Sequence, residues 1–558
     1  MRLTFGDLAI DCERRQLMRR GGELHLSGKA FALLELLLQR RPNAVKRADI
    51  ISHLWPDTFV SPSNLATLVQ EIRDVLGDDA RHPRFVRTIF AYGYAFVAEE
   101  DEGPPAAGAR PVRSLAVLPF SMAGAEDAEY VADGITDSVI DALAEDPELR
   151  VMARSTVFRF QHSDRTPHEI GRELHVDAVV AAGIRRRGDR VTVAAELVSV
   201  EDGARLWGGR YERSASEVMG IEDDLARGIS AALQLGRAPR GKSVAGGRRD
   251  DAHALYLRAR HAMNRRTAAS IRSAADDLRH AIAVDPQYAP PHAALADTFT
   301  LAARYVEVPA LELAAAAREA AAKALELDAS LPDAHISMAS VHDTCDWNWS
   351  AAEREYREAI ALRPGDALAH QWYALLLTRL GRSEEAGGEI RTALRLDPLS
   401  PRLNLAAANI HYYAGRCDEA ANSCAKALAL DPVLPFAYLQ MALIHLQQER
   451  YGQARAALET SGDSAAAVAA RAVLQACEGE AAPAGKLMGQ LVARGADYEL
   501  AVVAAALDRD DLALQSLETA CERRNVYASY AGVDPLLASL RADRRFAALL
   551  RKASLRRA

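Results

Sequence analysis

SPSNLATLVQEIRDVLGDDARHPRFVRTIFAYGY, residues 61–94, decides how the first hundred residues fold. Ser61 or Ser63 suits a helix cap, and Pro62 suits the first turn. Leu65, Leu68, Val69, Ile72, Val75 and Leu76 recur at helical spacing and predict one buried stripe. That leaves Asn64, Thr67, Gln70, Glu71, Arg73 and Asp74 on the other faces, and Gly77 stops the helix. Residues 85–89 and 92–97 are rich in β-branched and aromatic side chains and flank a tight turn, which predicts a hairpin. A helix of this kind fits a DNA major groove. Its Asn, Gln and Arg side chains suit base edges, and its Thr suits a base or a phosphate. A neighbouring hairpin can reach the minor groove.

Working outward, residues 3–10 and 16–26 alternate like short antiparallel strands. Ser27 then caps the apolar helix KAFALLELLLQRRPNAV, and a second helix starts near Lys46 and ends at Leu54-Trp55-Pro56. This order resembles the OmpR/PhoB-type winged-helix domain over residues 1 to about 98. The resemblance rests on Leu26-Ser27-Gly28-Lys29-Ala30-Phe31 with Leu33-Leu34, and on Leu54-Trp55-Pro56-Asp57. It continues through Ile72-Arg73, Leu76-Gly77-Asp78, and Val86-Arg87-Thr88 through Gly93-Tyr94. The resemblance implies DNA binding. The candidate contacts are Lys46, Arg47, Asn64, Thr67, Gln70, Arg73, Arg84 and Arg87. It also implies a polymerase-contacting loop at Trp55, Asp57, Thr58 and Phe59.

The chain departs from that family in charge. The hairpin turn is Phe90-Ala91-Tyr92, where a basic tip is common, and the helix carries Glu71 and Asp74. Residues 1–100 hold 14 Lys and Arg against 13 Asp and Glu. Phosphate contacts supply most non-specific affinity. One copy of so neutral a domain should bind weakly, and self-association on DNA is expected.

The whole chain has 558 residues, enough for three or more domains, and a net charge of -8. An acidic total argues against a protein that coats nucleic acid but is compatible with a local reader. The six cysteines form no CxxC pair, which fits a reducing compartment. The N-terminus opens as a charged strand, unlike a signal peptide. No uncharged apolar run approaches the roughly 20 residues that cross a bilayer. Membrane-bound relatives of the ToxR/CadC kind place such a helix after the winged helix, where this chain has the polar linker EEDEGPPAAGARPVR. A cytoplasmic protein with no membrane partner is expected.

From Arg113 the pattern changes. SLAVLPF and LRVMAR suit strands, VDAVVAAGIRRRGDRVTVAAELVSV suits a hairpin turning at Arg187-Gly188-Asp189, and ARLWGGRYER suits a further strand. Helices fit residues 130–143, 168–174 and 216–235. This α/β domain resembles the TolB-like or FlgO-like domain of bacterial regulators. The similarity lies in Leu115-Ala116-Val117-Leu118-Pro119-Phe120, Ala132-Asp133-Gly134-Ile135-Thr136 and Leu206-Trp207-Gly208-Gly209-Arg210-Tyr211. Asp133 and Asp137 lie four apart on one helical face. Without a third ligand nearby they read as solvated or capping rather than as acid–base or metal groups.

From Asp251 the chain repeats. Pro364, Pro398 and Pro432 are spaced by 34 residues. Ala374, Gly381, Ala386 and Ala393 recur one unit later as Ala408, Gly415, Ala420 and Ala427. Small residues where helices cross, with a proline ending the second helix, match the tetratricopeptide repeat. The pattern decays beyond Pro435, and residues 534–546 suit a terminal cap. Such arrays hold a peptide or protein in a concave groove. Trp347, Trp349, Trp372, Tyr373, Tyr412 and Tyr413 are candidates to line it.

GRAPRGKS, residues 236–243, satisfies the Walker A pattern, but a helix precedes it and no phosphate-binding strand does. It reads as a linker. The expected fold is multidomain and mainly α. A winged helix spans 1–98, a linker 99–112, an α/β domain 113–236, a linker 237–250 and a tetratricopeptide solenoid 251–558. The expected function is one-component, sequence-specific transcriptional regulation without enzyme activity or cofactor. The partners are double-stranded DNA, RNA polymerase and a protein at the groove. The alternatives are a scaffold whose winged helix binds protein, and an NTPase switch resting on residues 236–243.

Overall fold

A computed structural model describes the chain apart from residues 1, 6–7, 12–15, 20–21, 41–43, 56–61, 80–82, 90–91, 99–110, 124–128, 188–189, 215–220, 236–247, 266, 306–309, 435, 554 and 556–558. It divides into two compact units, Met1–Arg110 and Pro111–Ala558. No helix among the described residues is long and apolar enough to cross a membrane.

The first unit opens with a four-stranded antiparallel sheet, β1 (Arg2–Phe5), β2 (Leu8–Asp11), β3 (Gln16–Arg19) and β4 (Gly22–Leu24), in sequence order. Helix α1 (Gly28–Arg40) follows, then strand β5 (Val45–Lys46), α2 (Arg47–Leu54) and α3 (Pro62–Leu76). Strands β6 (Val86–Ile89) and β7 (Gly93–Phe96) form the hairpin, and β5 pairs with β7. Leu33, Leu34 and Leu37 of α1 meet Leu65, Val69, Ile72 and Leu76 of α3 in one core with Phe96. The amphipathic stripe seen in the sequence is therefore what docks α3 on α1.

In the second unit a mixed sheet has the order β10-β8-β11-β12-β13, with β9 also paired to β11. Its strands are β8 (Ser114–Val117), β9 (Ser121–Ala123), β10 (Arg150–Val151), β11 (Ala178–Arg187), β12 (Arg190–Ser199) and β13 (Arg205–Ser214). Its helices are α4 (Glu129–Leu143), α5 (Arg154–Val157), α6 (Pro167–Leu174) and α7 (Ile221–Ala232). Neither β9 nor α5 was legible in the sequence, because each is too short to show a period.

The solenoid follows as packed helix pairs. They are α8 (Arg248–Arg265) with α9 (Ala268–Val284), α10 (Ala289–Tyr305) with α11 (Ala310–Leu327), α12 (Pro332–Val341) with α13 (Trp349–Leu362), and α14 (Ala367–Arg379) with α15 (Ser383–Leu396). Next come α16 (Pro401–Tyr413) with α17 (Cys417–Leu430), α18 (Ala437–Gln447) with α19 (Tyr451–Thr460), α20 (Ala465–Cys477) with α21 (Ala481–Arg494), and α22 (Asp497–Ala506) with α23 (Asp510–Glu522). Short 3-10 turns and α24 (Arg544–Lys552) close the chain.

The repeat residues have physical roles. Ala374, Ala386, Ala393, Ala408, Ala420 and Ala427 are all fully buried where helices cross. Gly381 and Gly415 take φ of +74° and +75° as left-handed C-terminal caps. The N–H of Arg382 then reaches Leu377 O at 2.9 Å, and that of Arg416 reaches His411 O at 2.9 Å. Past Pro435 the same cap persists, with Glu449 (φ 58°) and Asp508 (φ 55°) in two places and Gly479 (φ 83°) in the one between. The fold therefore continues where its glycine signature has become intermittent.

Candidate nucleic-acid interface

Three polar side chains fix the geometry of α3 and the hairpin. Asp78, just past the cap at Gly77, accepts the backbone N–H groups of Arg84 (2.6 Å), Phe85 (3.2 Å) and Val86 (2.7 Å). Arg73 donates to Val86 O at 2.9 Å and to Thr88 Oγ1 at 2.8 Å. Glu71 accepts from Ser27 N at 2.6 Å and from Ser27 Oγ at 2.9 Å, which ties α3 to the start of α1. The acid in α3 that looked unfavourable for DNA is thus used inside the domain.

Arg73 corrects the sequence reading. It was assigned to an open face, yet it is only 6% exposed and holds the hairpin. At about 100° per residue it lies roughly 40° beyond Val69, at the edge of the buried stripe. That angle was the available signal.

Asn64, Thr67 and Gln70 are exposed on α3. Gln70 Nε2 donates to Asp74 Oδ1 at 2.7 Å, which orients its amide. Arg84 and Arg87 are exposed beside them on the hairpin side. Lys46 and Arg47 join this group through β5, because Val45 pairs with Tyr94 and Lys46 with Gly93. A Cβ on Gly93 would sit 1.8 Å from Val45 O, so only glycine permits this pairing. Lys46 Nζ lies 5.9 Å from the centre of the Tyr92 ring, and the Arg47 guanidinium 5.8 Å from that of Tyr94. The structure thus brings seven of the eight candidates to exposed positions around α3 and the hairpin, and places the eighth, Arg73, inside. Of the candidate polymerase loop, Trp55 is half-buried under Lys29 Nζ at 4.7 Å. Asp57, Thr58 and Phe59 lie outside the described residues.

The second unit holds charge differently. Asp133 and Asp137 are buried, which corrects the expectation of a solvated pair. Arg154 contacts Asp137 at 2.5 Å and Asp133 at 3.3 Å, while Arg260 and His261 of α8 reach them from the solenoid at 3.7 and 3.2 Å. Burial pushes the Asp137 carboxyl up, against the pull of both arginines. The turns between repeats also dock on the α/β domain. Asp397 accepts from Ser155 and, at 2.6 Å, from Thr156, and Gly365 N donates to Ala144 O at 3.0 Å. These carboxylates join two domains. Among the described residues no cluster of His, Cys, Asp and Glu suits a metal ion. Residues 236–243 lie outside the described residues, which begin again at Arg248.

Most of the candidate groove aromatics are covered by the chain itself. Trp347, Trp349, Tyr373 and Tyr412 are buried, and Trp372 is half-buried. Tyr413 stacks on Tyr530 with ring centres 4.6 Å apart, and the Arg379 guanidinium lies 5.1 Å from that ring. Arg379 is held by buried Asp343, which sits in a π-helical turn that ends α12. Arg524 covers Trp347 at 4.9 Å.

Residues 21–96 match the family model described as "Transcriptional regulatory protein, C terminal". This segment is an OmpR/PhoB-type domain. Residues 111–223, read from sequence as TolB-like, match the model described as "HilA/YgeH-like transcriptional regulator, second domain". The transcriptional regulator HilA of Salmonella typhimurium is 23% identical over 417 residues, covering 74% of this chain and 73% of HilA. A putative adenylate cyclase 3 of Rhizobium meliloti is 33% identical over 200 residues, 35% of this chain. The chain spans about a third of that relative, 33% of its length. A tetratricopeptide repeat protein from Parabacteroides merdae aligns with 47% of this chain and 99% of its own, at 17% identity and a TM-score of 0.35.

Proposed function

We propose that this chain is a one-component transcriptional regulator that reads a DNA sequence with α3. The observation that carries the proposal is the exposed row Asn64, Thr67 and Gln70 beside a hairpin that Arg73 and Asp78 hold in register. The regulator family matched by residues 21–96 supports it. Lys46, Arg47, Arg84 and Arg87 serve as phosphate contacts, and the segment from Trp55 to Phe59 contacts RNA polymerase. The scaffold alternative rested on the acidic residues of α3. Glu71 and Asp74 are engaged by Ser27 and Gln70, which weakens it.

The protein works without a cofactor, without catalysis and in the cytoplasm, as two copies side by side on DNA. A protein partner binds the solenoid. Genome-wide capture of DNA bound to the full-length chain, followed by a salt-dependent gel shift on the recovered sequence, tests the proposal. Recovery of no common sequence would refute it.

A further inference from the structure

The longest hairpin among the described residues lies outside the winged helix. Strands β11 and β12 pair over ten residues each, out to Arg187 opposite Arg190. β13 extends the sheet, with Arg190 opposite Ser214. Side chains alternate across a strand. The cross-strand rows Arg185–Thr192–Glu212 and Gly183–Ala194–Arg210 therefore share one face, with Arg190 beyond Thr192 on the same side of its strand. The opposite face sends Ile184, Val191, Val193 and Trp207 into the core. Helix α6 covers only the inner end of the first face, where Gly171 sits against Val179 and Val200. Beyond it Arg185, Arg190, Ala194 and Arg210 are exposed.

Arginines outnumber carboxylates at this outer end. The sequence around the turn, Arg185-Arg186-Arg187-Gly188-Asp189-Arg190, has four arginines and one aspartate. Arg190 pairs with Glu212 at 2.9 Å, and both are well exposed. Among the described residues no ion pair engages Arg185 or Arg210. These positions include no large apolar side chain, the usual anchor of a protein interface. They present the guanidinium groups of Arg185, Arg190 and Arg210, with one carboxylate at Glu212, among Gly, Ala and Thr. Rows roughly 7 Å apart on strands roughly 5 Å apart put several arginines within reach of consecutive phosphates.

We infer that this face is a second duplex contact, which grips the phosphate backbone beside the sequence read by α3. The inference rests on the proposed DNA binding. It supplies what the winged helix lacks, since that domain is nearly neutral and its own hairpin turn, Phe90-Ala91-Tyr92, has no basic residue. Residues 99–110, which join the two units, span at most roughly 40 Å when extended. A contact tethered that closely acts at high effective concentration. It should be blind to sequence, because phosphate contacts position a protein without reading bases.

The test uses the full-length protein and a fluorescein-labelled duplex of about 40 base pairs and arbitrary sequence, with anisotropy followed across a salt series. The triple variant Arg185→Gln, Arg187→Gln, Arg190→Gln should lose at least about tenfold in affinity at about 100 mM salt. Its slope of log affinity against log salt should fall by roughly two to three. The corresponding triple Lys variant should keep the slope. Arg210→Gln, away from the turn, should lower the slope by about 0.9 and provides the same test should the triple variant misfold. Slopes equal to wild type in both Gln variants overturn the inference. If wild type binds and Arg87→Ala flattens the slope while the Gln variants do not, only this inference fails. If wild type binds no duplex, the proposed function fails with it. Lost transcription with unchanged duplex binding also overturns it and assigns the face to an acidic protein.

Discussion

The β6–β7 and β11–β12 hairpins, to which the proposals above give the two duplex contacts, are built differently. The β6–β7 hairpin has four residues per strand and is held at its base by Asp78 and Arg73 and against β5 through Gly93. Its turn has no cation. The β11–β12 hairpin has ten residues per strand and arginines on both sides of its turn. The first is positioned with little charge, and the second is charged at its free end. Recognition of DNA needs both placement and neutralisation. On the proposed reading they come from separate parts of one chain.

Removing the second unit should have the largest effect. Residues 1–110, which have their own core, should bind the operator tenfold to a thousandfold more weakly than the full chain, on the order expected for a linked second contact. Equal affinity by gel shift would break the comparison, because the winged helix would then suffice. Arg73→Ala comes next. It strips the buried Val86 carbonyl of its side-chain donor and should cost the first unit roughly 2–3 kcal/mol in a urea melt. Exposed Arg87→Ala should stay within about 0.5 kcal/mol in the same melt and instead flatten the salt slope by about 0.9. If both variants behave alike, placement and charge are not separable in this hairpin. Gln70→Ala should leave the salt slope unchanged and cost roughly 1–3 kcal/mol on the specific site, with relaxed preference at one or two base pairs. An unchanged binding motif would remove α3 as the reader.

The smallest effect concerns pH and the solenoid. His370 faces Glu389 Oε2 at 2.5 Å with Nδ1 and Pro364 O at 3.0 Å with Nε2. His335 makes the same pair of contacts with Glu355 at 2.7 Å and Ala329 O at 3.0 Å. Both nitrogens of each ring meet acceptors, so the imidazolium form satisfies them. Burial lowers both pKa values, but the carboxylate and carbonyl partners outweigh it and leave each above the ordinary histidine value. A raised folded-state pKa stabilises the fold fully below the unfolded value of about 6.5 and ceases to do so as pH rises through the folded value. Thermal stability of the second unit should therefore fall by a fraction of a kcal/mol per histidine as pH rises from about 6 to 9. The His335→Gln, His370→Gln protein should lose that slope, and an identical slope would refute the assignment.

The winged helix was legible because its signals are local: a helical stripe, a glycine stop and a hairpin within 34 residues. The repeats were legible for as long as glycine marked every cap. Where Glu449 and Asp508 take the left-handed position on either side of Gly479, the packing continues with only a broken compositional trace. Arg73 and Asp133 were misplaced because their partners lie elsewhere in the chain. A buried guanidinium or carboxylate looks like any surface charge until Thr88, or Arg154 and His261, is known to face it. The aromatics offered as candidates to line the groove are mostly core, the commoner fate of aromatics at helical spacing.

The stacking of Tyr530 on Tyr413, with Arg524 over Trp347, also bears on how the solenoid comes apart. A linear array of repeats melts in stages, since each repeat depends only on its neighbours. Here the last turns of the chain clasp helices from the third to the fifth pair, and buried Tyr498 and Asp534 lock that clasp at 2.5 Å. Fraying from the C-terminus must break the clasp first, and a repeat that opens in the middle strains it. Residues 332–555 should consequently exchange their amide protons as one cooperative block and form late, after a costly closure between distant segments. The array trades the graded softness of an open spring for the all-or-none behaviour of a closed ring.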